Sequence, residues 1–217
     1  MQKENSIFHN FDYGSRESPG FISETQPTSE TLYASLSENL RLKEPRKSKS
    51  RMTNNWEEIK WIFEPDGTLR DIYVENVNIE DWKILIDYLN TNHIVKYGPS
   101  DDNQIINKIN KDYLIQLLTD VTGKLELKTV AIIIDNIIIN THFFTVDEIE
   151  FDIEPEEINS VEDYEKVLSF MNEISRILNK QLILTGENQI QFPLVTVEFS
   201  KNLIKALTKK DAEKLWK

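Results

Sequence analysis

The sequence predicts an α+β domain in which helices pack on one face of a mostly antiparallel sheet, preceded by a disordered N-terminal tail. Composition changes near residue 51, because the residues before it are rich in Ser, Thr, Glu, Asn and Pro and their apolar side chains are scattered. After it, segments with a two-residue apolar period alternate with segments of helical period. Several strand-like segments are separated only by a turn, which is typical of antiparallel sheets.

The tail is predicted to occupy residues 1–51 and the compact domain residues 52–217. Within the tail, a leucine at every fourth position predicts a short helix over residues 30–40. Residues 41–51 contain six basic side chains against one acidic side chain, Glu44. This composition is typical of a solvated linker, although it also fits a patch for an anionic polymer or a tether.

A hairpin is predicted at the start of the compact domain. Residues 60–64 and 68–74 have strand-like patterns and flank Pro65-Asp66-Gly67. Proline presets φ in such a turn, and glycine accepts the positive φ needed to leave it. The neighbouring aromatic side chains, Trp56, Trp61 and Phe63, are expected in the core.

Helices are predicted where an apolar stripe follows a capping residue. The predicted helices are residues 79–89 after Asn78, about 111–118 after Asn110, 161–179 after Ser160 with Asp163 completing an approximate capping box, and a C-terminal helix capped by Ser200 that runs through Leu207.

The centre of the sheet is predicted around residues 130–134, which are apolar on both faces. Asp135-Asn136 can form a two-residue turn, from which a return strand leaves at Ile137. That strand keeps apolar residues at odd positions as far as Ile153, too long for one ordinary strand, so a bend or bulge is predicted at residues 145–147. Further strands are predicted at residues 93–97, 181–185 and 190–199, the last at an edge or bulged because of Pro193.

Composition restricts the chemistry and the compartment. The chain contains no cysteine, which excludes disulfides, thiolate metal sites and cysteine nucleophiles. No segment approaches the ~18 consecutive apolar residues of a membrane span, and the first residues lack the apolar core of a secretory signal. We therefore expect a cytoplasmic protein that does not bind membranes.

The negative charge is concentrated in the compact domain. The whole chain carries −12, with 25 basic and 37 acidic residues. Residues 1–51 contain eight basic and seven acidic residues, which leaves 17 basic and 30 acidic residues, or −13, for residues 52–217. Such a surface repels phosphate backbones and attracts basic partners, so nucleic-acid binding by the compact domain is not expected. Solubility alone is the other explanation for this charge.

Catalytic and cofactor motifs are absent from the sequence. The three histidines, His9, His93 and His142, have no metal-ligand spacing, and the six glycines form no phosphate-binding or dinucleotide-binding loop. We therefore predict neither a metal nor a cofactor. His142 shares a strand face with Asn140 and Phe144, where it is either a hydrogen-bonded structural residue or a general base paired with a carboxylate.

The remaining candidate site is a ladder of alternating carboxylates, Glu148, Glu150, Asp152 and Glu154. On a strand these side chains share one face at ~6.6 Å intervals. Three interpretations are open: a solvated strand face that prevents pairing between sheet edges, an anionic docking edge for a basic protein, and two-carboxylate catalysis. They are preferred in that order, because like charges on an open face shift one another's pKa only weakly in water.

Two segments, WEEIKWIFEPDGTLRDIYV and HFFTVDEIEFDI, resemble parts of small bacterial immunity proteins, which neutralise secreted polymorphic toxins by stoichiometric binding. The resemblance extends over residues 55–207 and depends on the hairpin and the acidic strand. It implies an acidic α+β inhibitor whose surface carboxylates block the basic active site of a toxin. The 51-residue tail departs from that pattern.

These observations together predict a non-enzymatic binding protein, an immunity protein or antitoxin that neutralises a basic toxin, such as a nuclease. Glu148, Glu150, Asp152 and Glu154 are the predicted partner-binding residues. The alternative is an adaptor or scaffold protein that acts through its flexible N-terminal tail.

Overall fold

The computed structural model describes residues 56–98 and 107–215. The strands in these residues are β1 (Arg70–Glu75), β2 (Ile94–Gly98), β3 (Thr129–Ile134), β4 (Ile137–His142), β5 (Glu148–Ile153), β6 (Leu182–Gly186), β7 (Val195–Glu198) and β8 (Leu203–Ala206). They form one sheet in the order β2-β3-β4-β5-β1-β6-β7-β8, and each neighbouring pair is antiparallel. The predicted α+β class is confirmed.

The helices are α1 (Trp56–Ile59), α2 (Ile79–Asn92), α3 (Lys111–Leu118), α4 (Val161–Leu178) and α5 (Lys209–Leu215). The three middle helices agree with the sequence prediction, and so do their caps. Asn78 and Asp81 form a capping box at α2, Asn110 accepts from the Tyr113 N–H at α3, and Ser160 accepts from the Asp163 N–H at α4. Local sequence therefore defines where these helices begin.

The two faces of the sheet differ in what covers them. On the core face, side chains such as Ile72, Ile139 and Phe151 are fully buried. Phe170 of α4 packs edge-on against Phe151 at 5.3 Å between ring centroids, which places the helix layer on this side. The alternate residues of each strand point to the opposite side, which we call the open face. Ile94 and Ile138 on the open face are 69% and 41% exposed.

The predicted hairpin at the start of the compact domain is wrong. Residues 56–59 form α1, and a 3-10 helix, Lys60–Phe63, continues directly from it, so that only the second predicted strand exists, as β1. The buried side chains in this segment are Ile59, Ile62 and Phe63, which recur at helical spacing. The Trp61 indole donates to the Leu207 carbonyl at 3.2 Å. The helical spacing of these apolar residues therefore describes the segment better than the strand pattern before Pro65-Asp66-Gly67.

The long return strand is in fact two strands. β4 ends at His142 and β5 begins at Glu148, and the two pair antiparallel with His142 opposite Glu150. The interruption lies where a bend was predicted, but the chain reverses completely instead of bending. The Asp147 carbonyl accepts from the Val77 N–H at 3.0 Å, which ties the connection to the segment after β1. At the preceding turn, Asp135 adopts the left-handed conformation with φ 53°.

The predicted C-terminal helix over residues 200–207 is also wrong. A short 3-10 helix, Phe199–Lys201, is followed by the edge strand β8, and α5 begins only at Lys209. Thr208 and Asp211 bond reciprocally at that helix start, with 3.2 Å from the Asp211 N–H to the Thr208 hydroxyl. Pro193 precedes β7, which pairs on both sides and is not an edge strand.

One prediction falls outside the described residues, namely the tail of residues 1–51 with its short helix and its basic segment. Among residues 56–98 and 107–215, no helix has both the length and the apolar composition needed to cross a bilayer.

Candidate functional site: an acidic face on the central strands

Carboxylates from two adjacent central strands meet on the open face of the sheet. The register places Asp71 opposite Asp152, Tyr73 opposite Glu150, and Glu75 opposite Glu148. Side chains directly opposite in an antiparallel pair lie on the same face with Cβ atoms about 5 Å apart. We call this group of five carboxylates the acidic face; its members are Asp71 and Glu75 of β1 and Glu148, Glu150 and Asp152 of β5.

The structure brings together three of the four predicted ladder residues and separates the fourth. Glu148, Glu150 and Asp152 alternate along β5, but Glu154 lies beyond the end of the strand and precedes the 3-10 turn Pro155–Glu157. β5 lies between β4 and β1, so its carboxylates do not protect a sheet edge. The residues predicted to form a docking edge lie instead in the middle of a sheet face.

Sequence reasoning missed the contribution of β1. Asp71, Tyr73 and Glu75 alternate with buried Ile72 and Val74, and this alternation could have assigned their side chains to a solvent-facing side. The alternation could not identify the strand that lies beside β1, because the pairing of β1 with β5 is a long-range contact.

One end of the acidic face is buried and hydrogen-bonded within the chain. Asp71 is 2% exposed, and its Oδ2 accepts from the Tyr73 hydroxyl at 2.8 Å and from the Asn188 N–H at 2.6 Å. Burial raises the pKa of Asp71 above its ordinary value; the bonds from Asn188 and Tyr73 oppose that rise, and the charge of Asp152 adds to it. Burial and the Asp71 carboxylate also raise the pKa of Tyr73, so its phenol stays protonated as a donor.

His142 forms an ion pair with the buried Asp152. Its Nε2 lies 2.6 Å from Asp152 Oδ2, while Asn140 donates to Asp152 Oδ1 at 2.9 Å. The hydrogen bond to Asp152 raises the pKa of His142 above its ordinary value. Burial acts to raise the pKa of Asp152, but the bonds from His142 and Asn140 outweigh it, so the pKa of Asp152 is lowered. Both shifts favour the charged forms, imidazolium and carboxylate.

The environment of His142 fixes its ring. Phe144 stacks on the imidazole with 5.1 Å between centroids and 11° between planes, and Phe144 itself is 61% exposed. Nδ1 lies 3.4 Å from the Thr129 hydroxyl. This arrangement agrees with the interpretation of His142 as a hydrogen-bonded structural residue.

The other end of the acidic face is open to solvent. Glu75 is exposed, Glu148 and Glu150 are half-buried, and Asp147 extends the group beyond the strand. An open depression of about 330 Å³ lies here, lined by Glu75, Asn76, Thr145, Asp147 and Glu148. Burial raises the pKa of Glu148, and the neighbouring carboxylates of Glu75 and Asp147 raise it further.

Glu150 connects the two ends. Burial raises its pKa, the Asp71 carboxylate adds to the rise, and His142 opposes it. The raised pKa values of Glu148 and Glu150 show that the fold partly removes these carboxylates from water and places other carboxylates near them.

Within the described residues, no three acidic or histidine side chains converge in an arrangement that would hold a metal ion. A cationic side chain can pair with several carboxylates at once.

Comparison with family models, curated proteins and solved structures finds no match to this chain. Its function must therefore be argued from the residues of the site, because an α+β architecture supports many unrelated functions.

Proposed function

We propose that this chain is a non-enzymatic cytoplasmic binding protein of the immunity or antitoxin kind, which neutralises a basic toxin, such as a nuclease, by covering it with the acidic face. The observation that carries the proposal is the meeting of five carboxylates on two adjacent central strands, on the side of the sheet opposite the helix layer. The charge of −13 for residues 52–217 supports it, because a negative field accelerates encounter with a basic partner.

The open end of the acidic face is the part that a partner would touch. Asp71 and Asp152 are already hydrogen-bonded within the chain, whereas Glu75 and Glu148 line a depression wide enough for a lysine or arginine side chain. A guanidinium inserted there would bond two carboxylates and relieve their mutual repulsion. Glu75 and Glu148 thus join Glu150 as the proposed contact residues, while Asp152 positions His142.

A charge-reversal experiment tests the proposal. Glu148→Lys combined with Glu150→Lys is expected to abolish capture of the partner by the full-length chain from a lysate of its host, with the captured proteins identified by mass spectrometry. The matched control is Glu165→Lys combined with Glu213→Lys, two exposed helical positions that give the same change in net charge. Capture by wild type and control should weaken as salt rises, since the attraction is screened.

Neutralisation is tested separately on the captured protein. Expressed alone it is expected to arrest growth, and co-expression of the wild-type chain, but not of the charge-reversed variant, is expected to restore growth. Deletion of residues 1–51 distinguishes the adaptor alternative: neutralisation should survive the deletion, whereas an adaptor acting through its tail would lose its function. Equal rescue by wild type and the charge-reversed variant would contradict the proposed site.

A further inference from the structure

Three isoleucines lie side by side on the open face, next to the acidic face. Ile94 of β2 is opposite Ile133 of β3, and Ile133 is opposite Ile138 of β4. Ile94 is 69% and Ile138 is 41% exposed, and Ile133 is half-buried. We call these residues the isoleucine row. β-branched side chains on adjacent strands make one continuous apolar strip.

The isoleucine row and the acidic face belong to one surface. On β4, Asn140 follows Ile138 on the same face at ~6.6 Å, and Asn140 donates to Asp152 of the acidic face at 2.9 Å. Ala131 lies beside Asn140 on β3 and extends the apolar part towards the carboxylates. An apolar strip bordered by charge, on a sheet face turned away from the core, is typical of an interaction site.

We infer that the open face binds one amphipathic element of the basic partner, with its cations over the acidic face and its aliphatic or aromatic side chains on the isoleucine row. The inference rests on the proposed function, and it adds that charge alone does not make the complex. Charge complementarity selects this occupant. A second copy of this face would oppose its five carboxylates to five others, and an anionic lipid surface would be repelled in the same way.

The two halves of the surface then contribute differently to binding. Exposed charges mainly accelerate association and are weakened by salt, whereas buried apolar contacts mainly slow dissociation. Removing aliphatic groups from the isoleucine row should therefore raise the dissociation rate without changing the salt dependence of association.

Two synthetic peptides serve as probes. One is an amphipathic peptide of lysine and leucine, and the other has every leucine replaced by glutamine, so that both carry the same charge. The full-length wild-type chain is expected to bind the leucine peptide about tenfold more tightly, because only that peptide buries apolar surface. Ile94→Thr combined with Ile138→Thr keeps β-branched side chains and should bring the two affinities together. Ile84→Thr, at a 45% exposed position on α2, is the matched control and should keep the preference.

The charge-reversed variant, Glu148→Lys with Glu150→Lys, separates this inference from the proposed function. If this variant binds neither peptide while the wild-type chain binds both with equal affinity, the acidic face is supported as the binding site. The isoleucine row is then excluded as a contact, and the inference is overturned. If it binds both peptides as well as the wild-type chain does, the proposed function and the inference are both overturned. If the wild-type chain sediments as a dimer and the Ile94→Thr, Ile138→Thr variant as a monomer, the isoleucine row binds a second copy of the chain. That result would overturn the inference.

Discussion

His142 is the one cation within hydrogen-bonding distance of the acidic face among the described residues, and it is not available to a partner. Its Nε2 is bonded to Asp152, and Phe144 covers its ring. Because its folded pKa lies above the ordinary value of 6.5, the ion pair stabilises the fold fully at pH values below about 6.5 at which Asp152 is still ionised. That contribution disappears as pH rises through the folded pKa.

This ion pair predicts the titration order of two histidines. Followed by NMR of the imidazole protons, His142 should titrate above its ordinary pKa, and Asp152→Asn should move it down. His93 is the internal control, because burial lowers its pKa and Glu173, 4.0 Å away, only partly opposes that. Its titration should not respond to Asp152→Asn. If His142 titrated below His93 in the wild-type chain, the ion pair would be absent in solution.

Single residues were predictable where their partners are close in sequence. Asn78, Asn110 and Ser160 were identified as caps because a cap bonds an N–H two or three residues later. The alternation of Glu148, Glu150 and Asp152 was visible for the same reason. Glu154 was misplaced because the strand ends at Ile153 and Pro155 follows, a boundary that alternation alone does not mark.

At the scale of elements, Arg70 explains why the segment before β1 is not a strand. Its side chain is 5% exposed, and it donates to the Ile62 carbonyl at 2.6 Å and the Glu64 carbonyl at 3.0 Å. It also contacts Asp66 at 3.2 Å, and hydrogen bonds from Thr68 and Arg70 lower the pKa of Asp66 to about 2. One guanidinium thus bonds two backbone carbonyls of this segment, and β1 pairs with β5 and β6, so neither side of β1 is left for a second strand.

Arg70→Met is therefore expected to reduce the free energy of unfolding by about 2–4 kcal/mol, because it leaves the buried Ile62 carbonyl without this donor and removes the bond to the Glu64 carbonyl. Urea denaturation measures the loss. Lys60→Met is the control in the same segment: it removes an exposed ion pair with Glu57 and should change the free energy of unfolding by less than about 1 kcal/mol. Equal effects of the two substitutions would mean that Arg70 does not organise this segment.

The sequence prediction of helices and strands was wrong where a segment contained two competing apolar patterns or lacked a local signal. Residues 56–63 contain both an alternating and a helical apolar pattern, and packing of Trp56 against Phe63 and Tyr164 favours the helical one. Near the C-terminus, Thr208 three residues before Asp211 was a visible signal for the start of α5, where the Asp211 N–H donates to the Thr208 hydroxyl. The edge strand β8 carries no such signal, because its four residues are defined by pairing with β7.

On the scale of the whole molecule, the acidic face is a product of strand order. β1 inserts between β5 and β6, far from its neighbours in sequence, and this order sets Asp71 and Glu75 beside the carboxylates of β5. Local patterns predicted the layers and most elements of the fold. They predicted only half of the site, because strand order depends on long-range packing that no short window contains.

The same clustering of charge predicts that the acidic face destabilises its own fold. Because the folded pKa values of Glu148 and Glu150 are raised, stability is lost as pH rises through them. Glu148→Gln with Glu150→Gln should therefore raise the free energy of unfolding at pH 7, by less than about 1 kcal/mol after solvent screening. The gain should shrink with added salt and disappear in acid, where the wild-type carboxyls are already neutral.

Glu165→Gln with Glu213→Gln is the control and should give no gain, because these exposed helical carboxylates lie outside the cluster. Urea denaturation at several salt concentrations compares the two pairs. If both pairs gave the same change, the cluster would impose no strain and general solubility would explain the charge. A gain confined to Glu148 and Glu150 argues for an external partner, because separated carboxylates on the helices would serve solubility without lowering stability.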